Sequence, residues 1–438
     1  MSDGYLDIHY ARTRTADAPR PMLDGHIKTQ VCVIGGGLAG LNTALGLAER
    51  GVTDVVLLEG ERVGWGASGR NGGFVGASYA VGTDTLIGKV GLDHTKRLIG
   101  LGQQAVSLIL ERMKRYGIDC GPNPHGHVAA SWYDNPDAMK EWVDFERENF
   151  GENIDFIPRE QLREDYAASD MYFDGAIDHS SFWFHPLNYC LGVARAAESL
   201  GVTIHEHSPA RSVMTEGRSC MVTTDMGIVE ADKIVVTTGG YDRSLVVELA
   251  AAFQRVATYV MVTEPIDETL ISSVIKTHCA IHDDRFSLDY YRRLEDNRVL
   301  WGGRGTTRMA EPGNLGQLMH GDMTRVYPEL ASVKVETAWS GIMSYPMHRM
   351  IQVGELRPGL WYGQGFGGQG MAQTTVAGEA LAGAIAQGDD TIDLFAPFGL
   401  NWTGGPVGKL YGEAFRLYVR AYDQVTTARD RRGAGRRK

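Results

Sequence analysis

The chain has 438 residues, 43% hydrophobic and 22% charged, a composition that excludes wholesale disorder and a collagen-like repeat. Its formal net charge of −11, from 43 basic and 54 acidic residues, argues against a general nucleic-acid binder, because phosphate contacts need clustered lysine and arginine. Five scattered cysteines without CxxC spacing fit neither a disulfide framework nor a zinc site, and no metal is expected.

The opening MSDGYLDIHYARTRT has no apolar signal core, and no apolar run is long enough to cross a bilayer. A cytoplasmic protein without a membrane span is the expectation. Residues 1–28 read as a polar, irregular arm over the first domain. Residues 28–34 then read as a buried strand and 38–50 as a helix with Leu41, Ala44, Leu45 and Ala48 on one side. A second apolar strand follows at 55–58. Strand, glycine turn, helix and strand within about 30 residues make a βαβ unit and imply a parallel sheet.

Further along, 93–116 reads as a long helix, and 141–153 as a polar segment in a mixed region with Trp132 and Trp142. A helix and then a strand (GVTIHEHS) are expected from 186, short strands at 220–224 and 227–230, and an apolar strand at 233–237. Residues 254–335 are rich in strand formers (YVMVTEP, FSLDYYRRL, RVLWGGR). A last strand at 360–363 runs into glycines, with a helix from about 374 to 387. Residues 429–438 carry six basic residues and Asp430, net +5, leaving −16 on the body; the run reads as a solvated, frayed tail. The pattern predicts an α/β fold with an α+β insert. A Rossmann-like nucleotide-binding domain would assemble from the discontinuous segments 29–85, 185–245 and 336–395. A β-rich substrate domain would come from 86–184 and 246–335, and 396–438 would form a C-terminal segment.

Glycine is the compositional outlier, 55 of 438 residues against a usual ~7%. It clusters at 35–40, 64–73 and 363–370, as backbone brought close to a ligand requires. In VCVIGGGLAG, Gly35 permits the tight turn, Gly37 lets backbone approach a pyrophosphate, and Gly40 lets the helix pack on the strand. Glu59 stands 19 positions after Gly40, where a carboxylate accepts from ribose hydroxyls; this disfavours a 2′-phosphate. The fingerprint alone leaves FAD and NAD both open.

Two further strings, RVGWGASGRNGGF at 62–74 and LWYGQGFGGQGM at 360–371, resemble the FAD-dependent D-amino-acid-oxidase superfamily, which includes glycine and sarcosine oxidases. HPLN at 185–188, LDYYR at 288–292 and DNR at 296–298 are most similar to its γ-glutamylputrescine-oxidising members. The resemblance runs from Val31 to about Gly388. It implies bound FAD, with Ser68, Arg70, Asn71, Gly72 and Gly73 lining the pyrophosphate and approaching the isoalloxazine. It also implies Ala210 beside adenine, and Gly239 and Gly240 closing over the nucleotide. Gly367, Gly368, Gln369, Gly370 and Met371 would aim N–H groups at the flavin's N1–C2=O side, where a helix start also supplies a positive dipole end. Relatives with a histidyl flavin carry Trp-His where this chain has Trp65-Gly66, and 339–354 lacks the cysteine of sarcosine-oxidase-like proteins. A non-covalent FAD is the expectation.

The resemblance further implies oxidation of a C–N bond in a small-molecule amine or amino acid, with water hydrolysing the imine. The electrons would go to molecular oxygen or another acceptor, such as a quinone or a partner protein. Period-two alternation puts Tyr290 and Arg292 on one strand face and Tyr291 and Arg293 on the other. Tyr290 and Arg292 are the expected pocket pair; Tyr259, His348, Arg349 and His185 are further candidates. In α-amino-acid oxidases of the superfamily the segment matching 339–346 carries a carboxylate-clamping arginine, whereas this chain has Met343. An extended amine such as γ-glutamylputrescine fits that departure. A cyclic or N-methyl amino acid (pipecolate, sarcosine) held by Arg292, Arg304 or Arg349 stays open.

Overall fold

Strand Gly25–Ile34 of the computed structural model, which describes residues 4–216 and 219–434, buries its last four residues between two parallel neighbours. Burial on both faces is why it reads as a continuous apolar run. Its sheet runs in the order Gln352–Arg357, Leu360–Gln364, Gly227–Val236, Gly25–Ile34, Val55–Leu58, Thr203–His205. The hairpin Ser212–Glu216 and Ser219–Thr223 attaches to Gly227–Val236. Helices Leu38–Glu49, Leu92–Tyr116, Pro186–Ser199 and Gly370–Gln387 bury their apolar residues in one core on one face. A second set of apolar residues covers the other face.

The second sheet has eight strands, in the order Val335–Tyr345, Gln254–Thr263, Val299–Thr306, Tyr290–Arg293, Ala280–Asp283, His127–Ala130, Gly175–Asp178, Ile154–Ile157. It has its own core, centred on Tyr291 stacked on Trp301 at 4.3 Å. Among the described residues no helix is long and apolar enough to cross a membrane.

Several elements differ from the sequence reading. The strands expected at 227–230 and 233–237 are one strand, Gly227–Val236, because Ala231 keeps its pairing with Thr29 across the expected break. The polar segment 141–153 lies largely in helix Pro136–Phe150, capped by the Asn135 side chain and closed by left-handed Gly151. The N-terminal arm is not irregular throughout: it forms helix His9–Thr13 and buries Tyr5, Ile8 and Tyr10 in the first core. The basic run begins inside helix Gly405–Ala434; residues 435–438 lie outside the described residues.

Two elements also cross the expected domain limits. Val335–Tyr345 pairs along its length with Gln254–Thr263, so the second sheet continues past residue 336. Helix Leu92–Tyr116, expected in the insert, packs in the first core. Its buried Arg112 donates to Asn42, Glu49 and Glu379, tying three helices together.

Buried Glu206 fastens the arm to the first sheet, accepting at 2.8 Å from Arg62 Nε, Val63 N–H and Arg20 N–H. Glu206→Ala leaves the Arg62 guanidinium buried without its nearest carboxylate. We expect a loss of about 3–5 kcal/mol, read as a lower urea midpoint; an unchanged midpoint would remove this role.

Candidate functional site

The turn after Gly25–Ile34 closes where only glycine fits. A Cβ on Gly35 (φ 112°) would stand 2.8 Å from the Thr237 carbonyl, and one on Gly40 2.0 Å from the Gly35 carbonyl. Helix Leu38–Glu49 has no side-chain cap on Gly37, and its first N–H, that of Leu38, donates to Ser68 Oγ at 2.9 Å. Half-buried Glu59 accepts from Gly36 N–H at 2.6 Å and from Glu61 N–H at 2.8 Å. Burial pushes its carboxyl up to about 7. Ala210 lies two residues after Ser208, whose N–H donates to the Glu59 carbonyl. Gly239 has φ 57° and open space where a Cβ would be.

Residues 64–73 fold over this turn. Asn71 donates to the Ala67 and Ser68 carbonyls and accepts from Gly73 N–H. Gly73 (φ 78°) lies against the Phe184 carbonyl, 2.1 Å from where a Cβ would be. Arg70 is buried, its guanidinium 4.1 Å from the Trp65 ring centroid, its Nε donating to the Trp65 carbonyl. Its Nη2 has no partner.

The third glycine cluster closes the site from the far end. Gly367 and Gly368 take φ 58° and 97°, and the Sδ of Met343 lies 3.4 Å from where a Cβ on Gly368 would be. The helix expected from about residue 374 starts at Gly370 without a side-chain cap, so Gly370 and Met371 already belong to its first turn. Gln373, in that turn, donates to the Ala77 and Ser78 carbonyls, and its buried Oε1 has no partner.

Tyr290 and Arg292 do share a face. The Tyr290 ring lies 2.7 Å from where a Cβ on Gly72 would be. Arg292 donates to the Gly72 carbonyl at 2.9 Å and to Tyr10 Oη at 3.1 Å, with its guanidinium 3.9 Å from the Trp183 ring centroid. Burial lowers the proton affinity of both Arg70 and Arg292. Other buried arginines (Arg20, Arg62, Arg112, Arg285, Arg293) contact carboxylates. Among the described residues Arg70 and Arg292 are buried cations with no ion-pair partner, and both sit where the two sheets meet.

Tyr259 is in the second core with Ala257 and Met261, while Thr258, Val260 and Val262 alternate toward the first sheet. His348 turns to the segment after helix Gly370–Gln387: its Nε2 is 3.3 Å from the Gly399 carbonyl, and its Nδ1 accepts from Met350 N–H. Arg349 has φ 58°; its side chain bonds Tyr345 and its carbonyl lies near Gly367. His185 caps helix Pro186–Ser199 by accepting from Asn188 N–H, and burial pushes it down to about 3. Arg304 pairs with Asp322. Sequence reasoning missed Tyr10, Trp183 and Tyr241. The aromatic run FWF just before HPLN was the available signal for Trp183; Tyr10 was hidden by treating the arm as irregular.

Comparison with known proteins agrees with this geometry. The family model described as FAD dependent oxidoreductase matches residues 30–384. The chain is 33% identical over 397 residues to the gamma-glutamylputrescine oxidoreductase of Escherichia coli, covering 90% of this chain and 92% of that protein. It is 32% identical over 399 residues to the probable oxidoreductase OrdL of Haemophilus influenzae, covering 89% and 90%. It shares its fold with glycine oxidase from Geobacillus kaustophilus, at TM-score 0.72 and 19% identity over 85% of this chain and 98% of that one.

The residues present suit FAD. A helix start without a cap from Gly37, a carboxylate at the second strand end and two buried orphan atoms, Arg70 Nη2 and Gln373 Oε1, offer donors and acceptors to a large heterocyclic ligand. Because the Glu59 carboxyl is raised from 4.5 to about 7, the FAD-free protein loses stability as pH rises through that range. The ionised form has more acceptor capacity for ribose hydroxyls. FAD affinity of the apoprotein should therefore fall between pH 8 and pH 6, and Glu59→Gln should bind roughly tenfold more weakly, ~1.4 kcal/mol, with that pH dependence flattened. Flavin fluorescence titration checks both; a wild-type dissociation constant independent of pH would remove Glu59 from the site.

Proposed function

The chain belongs to the family of FAD-dependent oxidoreductases, and on that premise we propose that it oxidises the C–N bond of an extended amine of the γ-glutamylputrescine type, using non-covalent FAD. The observation that carries this reading is the pair of buried arginines without carboxylates, Arg70 and Arg292, beside a strand that offers Met343 rather than an arginine to the glycine run. The relative named gamma-glutamylputrescine oxidoreductase, 33% identical to this chain, supports the same substrate class.

Gly35, Gly37, Gly40, Glu59 and Ser68 would hold the dinucleotide; Arg70, Gly72, Gly73 and Gly367–Met371 would border the ring system. Bound there, FAD supplies the two-electron acceptor for a C–H bond next to nitrogen. Trp65, Tyr241, Tyr290 and Trp339 wall the junction with aromatic surface, which excludes water and favours the neutral amine over the ammonium. Tyr10, Trp183 and the Gly72 carbonyl hold the Arg292 guanidinium in one orientation. Arg292 then offers a fixed positive charge to a carboxylate at the distant end of the substrate. Met343 leaves the near end without a carboxylate clamp.

Acid precipitation should release intact FAD into the supernatant. Gly66 lies against the Tyr241 ring, and the five cysteines are buried free thiols. Flavin left in the pellet would refute non-covalent binding. In a flavin-bleaching panel, kcat/KM for γ-glutamylputrescine should exceed that for glycine by at least roughly tenfold, about 1.4 kcal/mol of transition-state stabilisation. Arg292→Ala should erase most of that preference while a diamine lacking the carboxylate is affected less. Equal rates on glycine and γ-glutamylputrescine would sink the substrate reading.

A further inference from the structure

Helix Gly405–Ala434 is amphipathic with its polar face inward. Glu413 accepts from Thr306 Oγ1 at 2.7 Å and Thr307 N–H at 2.6 Å. Asp423 accepts from Tyr133 Oη at 2.7 Å, and Thr427 Oγ1 accepts from Trp132 Nε1–H at 2.7 Å. The opposite face is apolar. Val407, Leu410, Tyr411, Leu417, Tyr418 and Val425 recur at three- and four-residue spacing, with Ala414 and Ala421 between them. With Trp402 and Tyr422 they are 56% to 75% exposed. Phe286, from the loop alongside, meets Phe415 edge-on at 5.1 Å and widens the stripe.

Apolar surface of this extent, held outward by a hydrogen-bonded inner face, marks an interaction site. We propose that its occupant is an anionic lipid bilayer, on which the helix lies in the plane of the surface without crossing it. Charge selects that occupant. Residues 405–438 include nine basic and three acidic residues, net +6, against −17 for the remainder, so this end alone is drawn to anionic headgroups. The helix, roughly 10 Å thick, keeps the acidic body more than a Debye length, about 8 Å, from the headgroups. Side-chain type agrees. Trp402, Tyr411, Tyr418 and Tyr422 each join an apolar ring to a polar tip, the chemistry that settles at headgroup level. An apolar stripe and a basic run together supply the two signals that stable surface attachment requires. Two such helices laid side by side in a dimer would instead bring two +6 segments together. The proposal does not depend on the amine reading.

The test mixes holoenzyme with vesicles of phosphatidylglycerol and phosphatidylcholine, or of phosphatidylcholine alone, and follows flavin absorbance after sedimentation. We expect pelleting with the anionic vesicles and roughly tenfold less with the neutral ones or at high salt. Leu410→Glu/Leu417→Glu, at exposed positions, should stay in the supernatant with its flavin spectrum and thermal midpoint intact. A chain ended at residue 428 should lose the salt-sensitive part of binding. Holoenzyme that stays in the supernatant with anionic vesicles would overturn the proposal, as would equal pelleting of the double variant. A dimer in light scattering that the double variant converts to monomer, without vesicle binding, would assign the stripe to a second copy.

Discussion

The site depends on backbone approaching backbone closer than any side chain permits. At Gly35 and Gly40 the first strand, its helix and the Thr237 turn come within carbonyl distance of one another, and at Gly73 the second loop presses on the Phe184 carbonyl. Each contact occupies the space of a Cβ. The helix start is therefore set directly against the strand ends, and the residues 64–73 are drawn across it until Ser68 Oγ meets the Leu38 N–H. Glu59 reaches the same turn from the neighbouring strand. None of these polar contacts could form if the glycines carried side chains.

The second sheet is coupled to that turn through an edge strand as well as through Tyr290 and Arg292. Val335–Tyr345 pairs with Gln254–Thr263, while Trp339 donates to the Arg70 carbonyl, Ile342 N–H donates to Tyr241 Oη and Met343 packs on Gly368. A strand that hydrogen-bonds to one domain and touches three glycine-rich or aromatic elements of the other fixes their relative position. The junction it makes is where Arg70 and Arg292 lie.

The sequence made the cradle legible because glycine spacing and a strand-end acid are local signals. The second sheet's faces were legible only in part. Tyr290 and Arg292 followed from simple alternation, yet the same rule gave no face for Tyr259. Which side of Gln254–Thr263 meets the first sheet is set by Thr258, Val260 and Val262 packing toward it, a tertiary fact. His185 and His348 drew attention as ionisable groups, but their rings serve backbone hydrogen bonds at a helix start and a loop. The arm misled for a compositional reason: Tyr10 sits in a polar segment, and its burial depends on His185 and Trp339 lying across from it.

Buried charge separates architecture from chemistry in this chain. Arg112, held by Glu49 and Glu379, and Arg285, held by Asp283 and Asp289, are neutralised within the fold. Such pairs cost much to break and gain little net stability, so their use is to fix geometry. Arg70 and Arg292 are stabilised instead by aromatic faces and carbonyl oxygens, which orient a guanidinium without cancelling its charge. An uncancelled buried cation costs folding free energy. A fold that carries two of them at the junction of its sheets is poorer in stability there and complementary to negative charge, whether on a cofactor or on a substrate carboxylate. The same division holds at the surface: the inner face of helix Gly405–Ala434 is hydrogen-bonded to the fold, and among the described residues most of its outer face stays exposed.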